Sequence, residues 1–239
     1  MTSRVSDLTR PIDLRRRQRR RRRQILVAAL VALVVLLGAG VWVVRWSSLL
    51  AVRTVTVEGT GLLSAGQVRA AGRVPQGTPL ARVDVGAVAA RIAQLPPVEG
   101  VRVHRSWPDG IRIVVTERTP VYQVRDAGRY YWVDRTGTIF HVAGQVRPGL
   151  PQALADPGDK RLLGDLATTV ASLSTTLRSQ TDHLEATSPD AIVVVLSKDR
   201  RVVWGSADQS ATKSTVATAM LGTPARTYDV SSPDHPTAR

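Results

Sequence analysis

Between Ile25 and Val44 the chain reads ILVAALVALVVLLGAGVWVV, without a charge and without a hydrogen-bonding side chain other than the Trp42 indole. At about 1.5 Å per helical residue this run reaches roughly 30 Å, the thickness of a bilayer's hydrocarbon core. In lipid every backbone amide must find a partner within the segment, so a single pass is a continuous helix. A membrane helix over residues 24–46 is therefore expected, anchored by Ile25 and Val44 at the ends of the run and by Trp42 and Trp46 in the headgroup belt, with Arg45 snorkelling beside them. A cleaved signal peptide and a buried core helix are the competing readings, the latter disfavoured by the flanking charge. Signal h-regions are shorter, and Ser47 to Val52 offers no small-x-small cleavage site; the resemblance of Arg22-Arg23 to a twin-arginine signal is a by-product of the arginine run.

Residues 1–23 hold ten arginines against Asp7 and Asp13, whereas only Arg45 and Arg53 lie close to the far end of the run. The positive-inside rule leaves this tail in the cytoplasm and sends the rest of the chain across the membrane. The same tail accounts for most of the formal +14: without it, 23 basic residues face 17 acidic ones, a net +6. Nucleic-acid binding is thus not the reading of the high pI, because the arginines have no interleaved aromatics and abut a membrane; the tail reads as a disordered topology signal that also touches anionic lipid. Cysteine is absent, which removes thiol nucleophiles, thiolate metal sites and disulfides, and leaves the exported residues to hold themselves by hydrophobic cores.

Beyond the linker, Val55 and Val57 alternate with threonines as in a half-buried strand. Ser64 and Gln67 have capping-box spacing for a short helix that Gly72 closes, and Asp84 caps a second helix with Val85, Val88, Ile92 and Leu95 on one face. Val101 and Val103, the turn Trp107-Pro-Asp-Gly110, and Ile111, Ile113 and Val115 form a hairpin. The order over 51–120 is β-α-α-β-β, a small sheet with two helices on one face. Over 121–233 follow strands at Val121–Arg125, Tyr130–Val133 and Thr138–Val142, one long helix from Lys160 to Leu177, strands at His183–Ala186, Ile192–Leu196 and Val202–Trp204, a helix over 209–221, and a last strand, Arg226–Val230. The fold class expected is α+β, with a mixed or antiparallel sheet carrying two packed helices in the second domain and a short tail at 234–239.

The string Val103-His-Arg105-Ser-Trp107-Pro108, the pair Glu117-Arg118 before Pro120, Gly77-Thr-Pro79-Leu80, Val133-Asp134 with Gly137, and Tyr228-Asp-Val230-Ser-Ser-Pro233 occur in the order seen in the FtsQ/DivIB family of bacterial division proteins, and the chain resembles that family from its anchor to Pro233. The resemblance implies a POTRA domain over 51–120 and an FtsQ-type β-domain over 121–233. It also implies a role as a non-enzymatic membrane scaffold at the division septum, in the plasma (inner) membrane with the N-terminus cytoplasmic. The implied partners are an FtsB/FtsL pair, received at Tyr228, Asp229, Val230 and Ser231, with Lys213 on the preceding helix. One departure is Asp199-Arg200 where the family commonly has Asp-Gly, so that hairpin loop is expected to be longer or differently shaped.

Read from the residues alone, Arg226–Val230 would be an edge strand open to β-addition, or an ordinary edge blunted by Arg226 and Asp229. No enzyme is expected. His104, Ser106 and Asp109 are close in sequence without the support of a triad; His183 and Glu185 share a strand face but make no metal site by themselves; Trp107, Trp132 and Trp204 read as packing. Walker A, GxSxG, HExxH and GxGxxG motifs are absent, so no catalytic residue, cofactor, metal or small-molecule substrate is expected. The rivals are a membrane-tethered peptidoglycan enzyme and a POTRA-type protein-transport module, the latter expected to repeat a domain that occurs here once.

Overall fold

A computed structural model describes the chain from residue 10 to 239, with side chains from residue 21 onward except at residue 49. The first nine residues of the expected tail lie outside the described residues. Helix α1 (Arg10–Trp46) begins well before the apolar run, so from Arg10 the tail is helical rather than disordered. Arginine, leucine and glutamine are good helix formers, and Pro11 sits in the first turn, where its missing amide costs nothing. The stretch Arg21–Trp46 is long and apolar enough to cross a membrane, and none of its most apolar window is buried in the protein. Ile25, Trp42 and Trp46 are exposed, and Val44 is at the border of exposure.

The first domain has the expected order: β1 (Thr54–Glu58), α2 (Ala65–Gly72), α3 (Val85–Ile92), β2 (Val98–Ser106) and β3 (Gly110–Glu117). Its sheet runs β1-β3-β2, with β1 parallel and β2 antiparallel to β3. The capping box is complete, Ser64 Oγ accepting from the Gln67 amide and Gln67 Oε1 from the Ser64 amide. Asp84 caps α3 through the Ala87 amide. Gly72 does a different job from the one expected: Arg73 takes the left-handed cap (φ 46°), and Gly72 is buried against Val88 and Ile92, where a larger residue would push α3 away. Val68, Leu80, Val88, Ile92, Ile111 and Ile113 form the core between helices and sheet.

The second domain is a nine-stranded mixed sheet made of β4 (Tyr122–Asp126), β5 (Arg129–Val133), β6 (Ile139–Ala143), β7 (Gln152–Leu154), β8 (Thr181–Ala186), β9 (Ile192–Leu196), β10 (Arg200–Gly205), β11 (Thr227–Asp229) and β12 (Thr237–Ala238), in the order β12-β11-β10-β9-β8-β7-β4-β5-β6. The long helix expected over 160–177 is two helices, α4 (Lys160–Ser172) and α5 (Thr175–Gln180). Ser174 breaks it by capping α5, its Oγ accepting from the Leu177 amide. The buried positions Leu162, Leu166, Val170, Leu173 and Leu177 nevertheless all reach one core, which is why their spacing reads as continuous. With α6 (Ser210–Met220) the sheet therefore carries three helices rather than two. The β9–β10 loop is three residues long, Leu196 pairing with Arg200, and Lys198 and Asp199 both take positive φ without a glycine.

The two domains meet at Arg118 and Asp134. The Arg118 guanidinium pairs with Asp134, whose other oxygen accepts from the Thr136 and Thr138 amides and the Thr136 hydroxyl. Arg118 also donates to Pro96 O, and Arg135 pairs with Glu99 at 2.8 Å. Burial alone would raise the Asp134 pKa, but the hydrogen bonds from Thr136, Thr138 and Arg118 outweigh it and hold the carboxyl below its ordinary range. Gly137 (φ 79°) closes this turn, and a Cβ there would strike the backbone of Gly164 in α4.

Candidate functional site

The C-terminal side of the large sheet is built by the β10-α6-β11 crossover. β11 pairs in parallel with β10, Val202 opposite Tyr228 and Val203 opposite Asp229, and the ladder continues as the Val230 amide donates to Val203 O at 3.0 Å. Side chains alternate along β11, so Tyr228 and Val230 point into the core, at 1% and 0% exposure. The Tyr228 hydroxyl donates to Thr223 O at 2.8 Å, tying the strand to the chain leaving α6. Lys213 is buried as well, its Nζ donating to Ser206 O at 2.8 Å. Burial lowers the Lys213 pKa, opposed by the charge of Asp208.

Asp229 is half-buried and Ser231 exposed. Asp229 Oδ1 accepts from both the amide and the hydroxyl of Ser231, an Asx turn that starts the chain back on itself. Gly205 (φ 70°) lets Ser231 come close, since a Cβ at 205 would lie 3.0 Å from the Ser231 side chain. Lys213 and Ser231 meet here, lining a shallow hollow of about 280 Å³ with Ser206, Asp208, Gln209 and Asp234. The expected site residues thus fall into two groups. Tyr228, Val230 and Lys213 are structural core; Asp229 and Ser231 shape the turn that follows.

β11 is not the edge of the sheet. After a turn closed by the His235 amide on Ser232 O, Thr237–Ala238 returns antiparallel along β11, with Asp229 opposite Thr237 and Tyr228 opposite Ala238. Arg239 exchanges bonds with Thr227 in both directions, 3.0 and 2.8 Å, and its carbonyl accepts from Arg226 too. Pairing in an antiparallel ladder alternates, so Ala238 turns its own amide and carbonyl outward. The outermost position belongs to β12, whose side chains are exposed. Residues 234–239 read as a tail because two strand residues after Pro233 and Pro236 carry too little pattern to register. The turn residues Asp229, Ser231 and Pro233 were the available sign of a reversal.

Elsewhere the candidates for chemistry resolve into structure. His104, Ser106 and Asp109 share no hydrogen bond among the described residues. His183 sits between Asp182 (2.8 Å) and Glu185 (3.2 Å), and the second Glu185 oxygen takes Arg201 at 2.9 Å, a salt-bridged row on the sheet. Trp204 is core, its indole donating to Ser210 Oγ, and Trp132 packs on Phe140 and His141 under the Arg147 guanidinium. Trp107 departs from the expectation of packing: it stands 53% exposed at the tip of the β2–β3 hairpin.

Against known proteins, the family model described as POTRA domain, FtsQ-type, matches residues 50–118, and that described as cell division protein FtsQ/DivIB, C-terminal, matches 121–231. The chain is 39% identical over 214 residues to cell division protein FtsQ of Streptomyces bingchenggensis, covering 84% of this chain and 81% of the relative. It is 35% identical over 218 residues to that of Streptomyces venezuelae, covering 86% and 80%. Among solved structures, the major extracytoplasmic domain of the division protein DivIB from Geobacillus stearothermophilus aligns with 45% of this chain and 93% of its own length, at TM-score 0.36 and 14% identity.

Proposed function

The chain belongs to the FtsQ/DivIB family of bacterial cell division proteins, and from that premise we propose that it is a non-enzymatic, membrane-anchored scaffold that receives an FtsB- or FtsL-type partner at the C-terminal edge of its large sheet. Residues 1–23 are the cytoplasmic tail, 24–46 cross the plasma membrane, and the two domains, 51–120 and 121–239 with β12 included, stand outside it at the septum. The arginine excess before the apolar run supports this orientation.

The observation that carries the docking site is the edge itself. β12 is a two-residue strand with exposed side chains and the outward backbone groups of Ala238. A partner strand that adds there completes the ladder with backbone bonds and reads side chains on alternate positions. Tyr228, Val230 and Lys213 then act from beneath, fixing β11 so that β12 lies straight; Asp229 and Ser231 set the turn between them. This keeps the expected residues in the site in a different role from direct contact.

The test is co-purification of the detergent-solubilised full chain with the extracytoplasmic segment of an FtsB-type protein, wild type against Ala238→Pro. Proline removes the outward amide and leaves the Thr227–Arg239 bonds in place. Loss of one hydrogen bond of about 1.4 kcal/mol lowers affinity about tenfold. Equal binding by the two proteins would refute the edge.

A further inference from the structure

We propose that the β2–β3 hairpin tip is a second membrane contact, with Trp107 seated in the headgroup layer of the bilayer that α1 crosses; this rests on the membrane-spanning reading of α1. Trp107 is a large exposed side chain that the first domain's core does not use. Single exposed hydrophobic residues are ordinary. What distinguishes this one is where the fold puts it.

β1 enters directly from the anchor, and it is parallel to β3, Thr54 lying opposite Gly110. β2 ends where β3 begins, with Ser106 paired to Gly110. The start of β1, the end of β2 and the hairpin tip therefore share the end of the sheet from which the chain arrives. The contact is direct: the amides of Arg53 and Thr54 donate to Asp109 O at 2.8 and 3.2 Å.

The anchor is held to the same end. The Ser47 amide continues α1 by donating to Val43 O, Ala51 bridges to Pro79, and the end of α1 packs on the turn Leu80–Arg82. That turn is clasped from β2, Arg105 donating to Leu80 O at 3.0 Å and Val83 O at 2.7 Å. The end of the apolar helix, the turn and the base of the hairpin are thus one connected cluster. The headgroup layer extends roughly 5–8 Å beyond the hydrocarbon on each side, so a tip fastened to Arg53 stands within or beside it.

The chemistry suits that layer. Indole has an apolar body and a polar N–H, and the interface accommodates both. Trp46 of α1 lies at the same end, with the Arg45 guanidinium 5.6 Å from its ring. Exposed Arg45, Arg53, Arg82 and Arg105 outnumber the carboxylates of Asp84 and Asp109 nearby, a balance that favours anionic phospholipid. Two points of contact, one spanning and one resting, fix the tilt of the first domain and hence where the large sheet's edge stands above the membrane.

The experiment places the full chain in vesicles of equal parts phosphatidylcholine and phosphatidylglycerol, with lipid brominated near the headgroup as quencher. Wild type is compared with Trp107→Phe, an exposed substitution that leaves the core untouched. The difference in emission isolates Trp107; the variant still emits from Trp42, Trp46, Trp132 and Trp204, of which only the two of the anchor, Trp42 and Trp46, lie where the brominated lipid can quench them. The expected result is that the Trp107 contribution loses most of its intensity to the brominated lipid and is shielded from aqueous acrylamide. The proposal is overturned if that contribution ignores the brominated lipid and yields to acrylamide while the variant is still quenched, which leaves the anchor intact. It falls with the anchor itself if neither emission is quenched.

Discussion

The junction at Arg118 and Asp134 and the edge at β12 are both places where a short stretch of chain meets another unit, and they are built in opposite ways. At the junction a nearly buried carboxylate satisfies two amides, a hydroxyl and a guanidinium, and a positive-φ glycine presses the turn onto α4. At the edge, backbone bonds alone hold two exposed residues. One site is closed, with both oxygens of its buried carboxylate answered from within the chain; the other leaves backbone groups facing out. The scaffold proposed above uses both, a joint closed within the chain and an edge that still has bonds to offer.

The contrast breaks most sharply at the joint. Asp134→Ala orphans the Arg118 charge and the Thr136 and Thr138 amides, and should cost about 3 kcal/mol, seen as a lower denaturation midpoint of the full chain in detergent. Acid should reach the same place. Burial would raise the pKa values of Asp134 and Glu117, but hydrogen bonds reverse the sign: Thr136, Thr138 and Arg118 for the first, the amides of Leu62, Gly61 and Leu63 for the second. Folded pKa values below the ordinary 3.8 and 4.5 mean that this stability is complete above those values and is lost as pH falls through the folded ones. Titrating thermal stability downward should show that loss, and Asp134→Asn should remove the share that Asp134 contributes while that of Glu117 remains.

Beneath the edge the expected effect is smaller. Tyr228→Phe removes the bond to Thr223 O and should cost about 1 kcal/mol of stability. Tyr228→Lys would bury a charge in the core and so test folding rather than docking. The smallest effect belongs to the edge itself. Deleting residues 234–239 gives up a few exposed backbone bonds, and should lower stability by less than about 1 kcal/mol while abolishing partner capture. A large loss of stability on that deletion would erase the distinction between joint and edge.

The residues that made the fold legible are the ones with a local physical job. The capping residues Ser64 and Asp84, the valine alternation in β1 and the Asp134–Gly137 turn state their conformations within a few positions. Where the sequence misled, a tertiary partner decided. Ser174 splits the helix through a cap and is held by the Ser214 and Thr218 hydroxyls of α6, which no local pattern announces. Gly72 is small because α3 lies on it. The site was legible only as a region: Arg226–Val230 has the pattern of a strand, but strand order decides whether a strand is an edge, and two residues at positions 237 and 238 changed that order. Trp107 reads as turn packing until the path of β1 shows which end of the sheet it occupies.

The absence of native cysteine allows the central claim to be tested directly. Single cysteines at Ala238 on β12 and at Val142 on β6, the opposite edge of the same sheet, can each be crosslinked to cysteines placed along the extracytoplasmic segment of an FtsB-type partner in living cells. Strand addition at β12 predicts adducts from position 238 that alternate along the partner with a period of two, and none from position 142. Adducts at Val142 with none at Ala238 would contradict it and move the docking edge to the other side of the sheet.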